Sequence, residues 1–255
     1  MVKIEIWILV WLASWTLMSC EEYREGCMDA NATNFQVSNQ VPCCCEYPSI
    51  IFQTTLTHGG QAAGFTDTFT NFAGQRFIIR DLRFVASGIS LRDSLDRIFT
   101  PTDTFQNYAI SPDILAVDVL NLNSTGADFL FNGQFRSLEF ELDMPGSLAD
   151  KVPRNFEVDH PFRDSSFYDF QRNEWYIFNT TLEVLNQGLL QIELTQTEFP
   201  IPIRVTGEWT KRRGADLTVH FRMDVETLMG DIDFEMGDDA IRSQIAKNLP
   251  GSFEP

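Results

Sequence analysis

Short runs that alternate apolar and polar residues dominate the chain from residue 50 onward. In RSLEFELD (136–143) and DLTVHFRMDV (216–225) the alternation is that of antiparallel strands with one buried and one solvated face. Between two such runs, Asn186-Gln187-Gly188 predicts a hairpin. Further runs, rich in branched and aromatic residues, are IIFQTTLTH (50–58), RFIIRDLRF (76–84), ILAVDVLNL (114–122), EWYIFNTTLEVL (174–185), LLQIELTQ (189–196) and IPIRVTGEW (201–209). The pattern predicts an all-β fold, an antiparallel β-sandwich of about eight strands.

One short helix is expected at the C-terminus of the sandwich. The segment DDAIRSQIAKNL (238–249) repeats an apolar residue every four positions from Ile241, which is a helical period. Asp238 or Asp239 can cap its start. The Pro-Gly pair that follows predicts its end at residue 249.

The N-terminus has the organisation of a secretory signal. Residues 4–18 are an apolar run behind Lys3, and Ser19-Cys20 closes it. A cysteine at this cut resembles a bacterial lipobox, in which the thiol is acylated and becomes the mature N-terminus. We therefore expect a signal peptide over 1–19 and a lipid anchor on Cys20, which places the protein in the cell envelope, at the outer membrane or cell surface. An ordinary secreted protein with cleavage nearby is the alternative.

Cysteines define a short leader, residues 20–49, ahead of a single β domain, residues 50–255. With Cys20 acylated, four cysteines remain as disulfide candidates in an oxidising compartment: Cys27, Cys43, Cys44 and Cys45. A bridge from Cys27 to the triplet would contribute about 3 kcal/mol, but the spacing leaves the connectivity open. Zinc is the competing interpretation, although no CxxC pair or nearby histidine supports it.

The leader GCMDANATNFQVSNQVPCCCEYP (26–48) resembles a module that follows lipoprotein signals in Bacteroidetes surface proteins. Within it, Asp29, Asn31 and Asn34 could offer oxygen ligands to calcium. A solvated turn is the simpler interpretation of the same residues.

The net charge and the absence of catalytic sequence motifs argue against several classes of function. The formal net charge of -17 argues against nucleic acid as a partner and against electrostatic attachment to anionic lipid. Membrane attachment must therefore come from acyl chains. No nucleophile elbow, zinc-protease, phosphate-loop or dinucleotide signature is present, so we expect a binding protein rather than an enzyme, without a small-molecule substrate.

Only three histidines are available as imidazole ligands. His58 ends the first strand of the domain, just before two glycines, and His160 lies in the loop VDHPFRD, where Asp159 could orient its ring. His220 lies on the polar face of its strand. Taken singly, each is also explained as a surface or hydrogen-bonded side chain.

Two blocks of sequence resemble the MbnP-like family of copper-binding proteins. The first, LTHGGQAAGFTDTFTNFAGQRFIIRDLRFVASGISLRD, follows the family's strand ending in histidine, its glycine turn, a "Y/F-x-N-x-x-G" turn and a long strand. The second, the degenerate block 135–178, contains a "D-H-P" loop and an aromatic run. The matching residues of the first block are His58, Gly59, Gly60, Gln61, Phe69, Asn71, Gly74, Phe77, Leu82, Arg83, Phe84, Ser87, Ile89 and Leu91.

The resemblance implies an extracellular or periplasmic all-β protein that binds copper for uptake, storage or delivery. It implies His58 as the best-placed ligand and His160 as the next, while His220 is a candidate on chemistry alone, since imidazole suits copper. The family's oxidised-tryptophan ligand has no counterpart in the aromatic run, and Trp175 is displaced from it. The resemblance also suggests a haem-containing peroxidase-like protein as a partner. The alternative function is a surface module whose Trp175 and Trp209 line a groove for a glycan or protein.

Overall fold

The computed structural model describes residues 23–102, 114–121, 123–156, 160–195 and 200–255. The signal peptide and Cys20 lie outside these ranges, as does Asp159. Within them, no helix is both long and apolar enough to cross a bilayer.

Sixteen strands and three helices make up this part of the chain. The strands are β1 (Glu25–Gly26), β2 (Val41–Pro42), β3 (Ser49–His58), β4 (Gln61–Ala63), β5 (Phe69–Thr70), β6 (Arg76–Asp93), β7 (Ile98–Phe99), β8 (Leu115–Asp118), β9 (Asn123–Asp128), β10 (Gly133–Leu142), β11 (Tyr168–Asp169), β12 (Glu174–Val184), β13 (Gly188–Thr195), β14 (Ile201–Lys211), β15 (Leu217–Asp224) and β16 (Phe253–Glu254). The helices are α1 (Gly146–Ala149), α2 (Val225–Met229) and α3 (Asp238–Ser252), with 3₁₀ turns at Pro153–Asn155, Pro161–Arg163 and Ser165–Phe167.

Fourteen of the strands form two sheets that pack face to face, while β1 and β2 of the leader pair parallel in a separate two-stranded sheet. The larger sheet has nine strands in the order β11–β12–β6–β10–β14, with β13 paired to β12, and with β5, β7 and β8 paired to β6. The smaller sheet has the order β16–β15–β3–β4, with β9 paired to β3. The predicted all-β sandwich with a C-terminal helix and a disulfide-stapled leader is confirmed.

Phenylalanine side chains fill the space between the sheets. Phe52 of β3 lies 5.8 Å, centroid to centroid, from Phe140 of β10, and Phe84 of β6 lies 5.5 Å from Phe253 of β16. All four are buried, so the apolar face of each alternating strand points to this layer. At about 1.5–3 kcal/mol for each fully buried side chain, this layer is the main source of stability.

One pairing departs from the antiparallel prediction. β15 lies parallel to β3, in register from Leu217 opposite Ile50 to Asp224 opposite Thr57. The first strand of the domain thus lies beside a strand from near its C-terminus, and local alternation does not encode that choice. The hairpin at residues 186–188 is present, with β12 and β13 antiparallel and positive φ at Asn186 and Gly188.

The C-terminal helix differs from its predicted limits at both ends. Gly237, rather than an aspartate, occupies the N-cap, and the two aspartates form the first turn. Such a position favours carboxylates because the helix dipole is positive there. The helix also continues through Pro250 to Ser252, whose hydroxyl donates to the carbonyl of Leu249 in the core. Burial of this last turn maintains the helix beyond the proline.

Among the described residues, one disulfide staples the leader. It joins Cys27 to Cys45, while Cys43 and Cys44 are free thiols. A hydrogen bond with Cys44 raises the pKa of Cys43 to about 11. Asp29 accepts hydrogen bonds from the amide of Asn31 and the hydroxyl of Tyr47, in keeping with the turn interpretation rather than a calcium site.

Candidate metal-binding histidines and a polar cleft

His58 lies at the end of β3, on the face that points between the two sheets. Alternation places it on the side of the buried Phe52 and Leu56. Its ring meets the edge of Phe69 at a centroid distance of 5.3 Å. Its Nδ1 is buried and has no hydrogen-bond partner in the part of the chain that the structure describes. The described residues therefore leave the hydrogen-bonding capacity of this nitrogen unused.

A carboxylate lies near the glycine turn that follows this histidine. Gly59 and Gly60 follow His58 in the left-handed region, with φ of 55° and 77°, and turn the chain toward β4. A Cβ placed on Gly59 would lie 3.4 Å from Oε2 of Glu226, so the carboxylate of α2 reaches the backbone beside His58. This end of the sandwich therefore places a carboxylate beside the turn that follows His58.

His160 lies in a different place, against the outer face of the larger sheet. Its Nδ1 accepts a hydrogen bond of 3.0 Å from the amide of Phe162. The ring stacks on Phe156 and Phe162, at centroid distances of 5.0 and 5.6 Å. Both phenylalanines also contact the ring of Trp175, which joins His160 to a buried aromatic cluster.

His220 is exposed on the outer face of the smaller sheet. It pairs with Gln53, five residues before His58 on the neighbouring parallel strand. At ~3.3 Å per residue, the two imidazoles are separated by about 16 Å along the strand and lie on opposite faces.

The structure therefore distributes the three histidines over three regions and does not bring them together. Among the residues it describes, no group of three or more His, Cys, Asp or Glu side chains could hold a metal ion. The shared three-histidine site has no support in this arrangement, because strand pairing separates side chains that sequence spacing left free to meet.

Trp175 and Trp209, which were expected to line a groove for a glycan or protein, do not form such a groove. Trp175 is fully buried, and its indole N–H donates to the carbonyl of Lys151 at 2.9 Å. Trp209 is 6% exposed and packs across Gly207, where a Cβ would lie 2.7 Å from the ring. Both tryptophans are core residues and are not free to stack on a ligand.

A polar cleft of about 520 Å³ opens between the β8–β9 connection and the 3₁₀ turns that follow residue 160. Its lining is Ala116, Asp118, Asn121, Asn123, Ser124, Thr125, His160, Arg163, Asp164 and Phe167. Among these, sequence reasoning identified only His160 as a candidate. The available signal was the density of Asp, Asn, Ser and Thr over 118–125, which also describes an ordinary solvated turn.

Comparison with known proteins supports the architecture. No family model and no curated protein matches the chain. A solved structure, MbnP from Methylosinus trichosporium, superposes with a TM-score of 0.50 at 12% sequence identity, covering 72% of this chain and 78% of that one. The chain therefore has an MbnP-like fold.

Proposed function

We propose that this chain is a lipid-anchored envelope protein that binds copper at the His58 end of its sandwich. Binding serves uptake, storage or delivery and involves no turnover of a substrate. The proposal is supported by the MbnP-like fold, the histidine-ending first strand of the family resemblance, and the environment of that histidine.

The observation that carries the proposal is the buried, unpartnered Nδ1 of His58. A buried polar atom without a partner costs about 1–3 kcal/mol, so a folded protein rarely leaves one without a reason. Coordination to a metal ion would remove this cost, and imidazole is a ligand that copper accepts readily. Phe69 fixes one side of the ring, which limits its rotation.

The ligand set differs from the one that the sequence indicated. We propose Glu226, whose carboxylate approaches Gly59, as the additional donor. Nitrogen and oxygen ligands together suit copper(II). His220 lies about 16 Å from His58 along the strand and on the opposite face, and His160 packs beside Phe156 against the larger sheet, so neither is proposed to share an ion with His58.

Copper titration of the full chain in detergent, followed by equilibrium dialysis and metal analysis, tests the proposal. Wild-type protein is expected to bind one copper ion per chain. His58→Ala is expected to weaken binding at least about tenfold, since even outer ligands of metal sites contribute 10–100-fold. Glu226→Gln, which preserves shape, is expected to weaken it by a smaller factor.

His220→Ala is the matched control, because it removes an exposed imidazole from the same pair of strands. Its copper affinity should equal that of the wild type. Thermal unfolding of each variant confirms that the fold is intact. An unchanged affinity in folded His58→Ala, or no binding by the wild type, contradicts the proposal.

A further inference from the structure

Exposed apolar side chains concentrate at one end of the sandwich. Of the thirteen large apolar side chains that the described residues leave exposed, eight lie on the leader or on the strand ends beside it. They are Tyr23, Met28, Phe35, Val37, Val41, Leu95, Ile98 and Phe131. Val37 is 86% exposed, Tyr23 75% and Leu95 71%. Single exposed apolar residues are normal on a protein surface, but a concentration of this kind marks a site of contact.

Contacts between strand ends place the domain residues of this set beside the leader. The amide of Phe129 donates to the carbonyl of Pro48 at 2.7 Å, and its ring lies 5.8 Å, centroid to centroid, from that of Phe131. Phe131 in turn lies 5.1 Å from Phe99 of β7, so the turn between β6 and β7, with Leu95, is at the same end. This end, where β3 begins and β6 ends, is called the leader end below.

Backbone hydrogen bonds hold the five leader residues of the set close to one another. The carbonyl of Arg24 accepts from the amides of Gln40 and Val41, at 2.8 and 3.3 Å. The carbonyl of Cys27 accepts from the amide of Gln36 at 3.1 Å. Each of the five apolar residues is one of these bonded residues or the immediate neighbour of one. They are therefore gathered on one small part of the leader.

The leader is fixed to the end of the domain. The amide of Ser49 donates to Oδ1 of Asp216 at 2.8 Å. A Cβ placed on Gly214 would lie 2.9 Å from the carbonyl oxygen of Ala32, so the turn between β14 and β15 packs directly on the leader backbone. The apolar residues of the leader and those of the strand ends are thus held on the same part of the molecule.

The lipid anchor of the proposed function lies next to this surface. Tyr23 follows Cys20 by three residues, and an extended chain spans at most ~3.6 Å per residue, so their α-carbons are within about 11 Å of each other. An acylated Cys20 lies at the surface of the bilayer. The covalent connection therefore brings the exposed apolar residues to the membrane interface.

Charge at the leader end is close to balanced, although the chain as a whole carries -17. Among the described residues, the exposed charged side chains there are Arg24, Glu25, Glu46, Asp96, Arg97, Arg136, Arg212, Arg213 and Asp216. Five are basic and four are acidic, and Glu21 and Glu22, which follow Cys20, add two carboxylates. Such a surface has no electrostatic reason to prefer anionic headgroups, so zwitterionic lipid is the partner that its charge fits.

We infer that the leader end is a membrane-docking surface, whose exposed apolar side chains enter the interface of a bilayer of zwitterionic lipid. The inference rests on the lipid anchor of the proposed function. Tyr23 combines an apolar ring with a hydroxyl, which suits the boundary between lipid and water, and Val37 and Leu95 add uncharged apolar area. The acyl chains hold the protein on the membrane, and the side chains orient the tethered domain.

This orientation turns the proposed copper ligand away from the membrane. β3 runs from Ser49 at the leader end to His58 at the other end. Ten residues of a strand, at ~3.3 Å each, span about 30 Å. His58 therefore faces the aqueous compartment, where a donor or acceptor of copper can reach it.

Brominated phosphatidylcholine tests the docking, because bromine on an acyl chain quenches tryptophan fluorescence only at short range. The acylated chain, after removal of its signal peptide, keeps two tryptophans, Trp175 and Trp209, and both are buried. Val37→Trp adds an exposed tryptophan on the leader, and Leu95→Trp adds one on the strand ends. Reconstituted in brominated vesicles, both variants should lose most of the added emission, and phosphatidylglycerol in the vesicles should not increase the loss.

Phe72→Trp is the matched control. Phe72 is 72% exposed at the opposite end of the sandwich, three residues after Phe69, whose ring contacts His58. Its added emission should be the same in brominated and ordinary vesicles. All three substitutions replace exposed side chains, so the unfolding temperature should equal that of the wild type, which thermal unfolding checks.

Four results would overturn the inference. Protein that does not float with vesicles and carries no lipid contradicts the anchor itself, and the docking surface with it. Protein that floats, while Val37→Trp and Leu95→Trp are quenched no more than Phe72→Trp, retains the anchor and contradicts the docking surface alone. Quenching of Val37→Trp without Leu95→Trp means that the sandwich does not dock. Emission that depends on protein density and not on bromine places a second copy of the chain on this end.

Discussion

At the scale of single residues, Asp93 shows how one carboxylate closes a turn. Its Oδ1 accepts hydrogen bonds from the amides of Leu95 and Arg97, at 2.8 and 3.0 Å, and its Oδ2 accepts from Nε of Arg97 at 2.6 Å. Burial raises the pKa of Asp93, but these hydrogen bonds outweigh it and the net pKa is lowered. The ionised form therefore stabilises the connection between β6 and β7.

The lowered pKa gives Asp93→Asn a defined pH dependence. Because the folded pKa lies below the unfolded one, the charge contributes its full stability above the ordinary aspartate pKa of ~3.9 and loses it as the pH falls through the folded value. Urea unfolding should show a lower midpoint for the variant at pH 7, with the difference disappearing at strongly acidic pH. Arg97→Ala should cost less, since its side chain is largely exposed. A pH-independent difference would contradict this account.

At the scale of elements, the turn between β5 and β6 joins the two ends of the domain. Asn71 is 4% exposed, and its Nδ2 donates to the carbonyl of Ile232 at 2.7 Å, while its Oδ1 accepts from the amide of Gln75 at 2.7 Å. Gly74 completes the turn with φ of 81°, a conformation that favours glycine. The "N-x-x-G" pattern of the sequence thus has a structural cause.

Asn71→Ala is expected to lower the free energy of unfolding by about 2–3 kcal/mol, because it leaves buried backbone groups without partners. Gly74→Ala is the comparison. A Cβ there meets no atom within 4 Å, so only the backbone conformation is penalised, by about 1 kcal/mol. Denaturant unfolding measures both. Equal losses in the two variants would mean that the bonds between residues 71 and 232 contribute little.

The strands could be predicted from the sequence because the alternation of apolar and polar residues is a local property of the chain. Each of the eight predicted runs overlaps an observed strand. The run at 76–84 extends to Asp93 because 85–93 are also compatible with a strand, and the register shifts near Gly88. The predicted end of the C-terminal helix was wrong because the burial of Ser252 outweighs the tendency of Pro250 to end a helix.

At the scale of the whole molecule, the candidate sites depended on pairings that the sequence does not display. Alternation gave the correct face for His220, and His58 also follows the alternation of its strand. Whether the two histidines converge depends on how β15 pairs with β3. The observed parallel register separates them along the strand direction and places them on opposite faces of the sheet. Asp118, Arg83 and Asn179 also become neighbours only through the pairing of three strands, which spacing along the sequence does not show.

The net charge of -17 determines how the whole protein is expected to attach to a membrane. An acidic surface is repelled by anionic lipid, so we expect attachment through acyl chains on Cys20. Stable anchoring needs more than one chain. In fractionated cells, wild-type protein should remain with membranes in 1 M salt, because salt screens charge and leaves acyl insertion intact. Cys20→Ser should shift the protein out of the membrane fraction if it is exported, and mass spectrometry of the wild type should show an acylated N-terminal cysteine. Release of the wild type by salt, or membrane retention of Cys20→Ser with its signal removed, would contradict lipid anchoring.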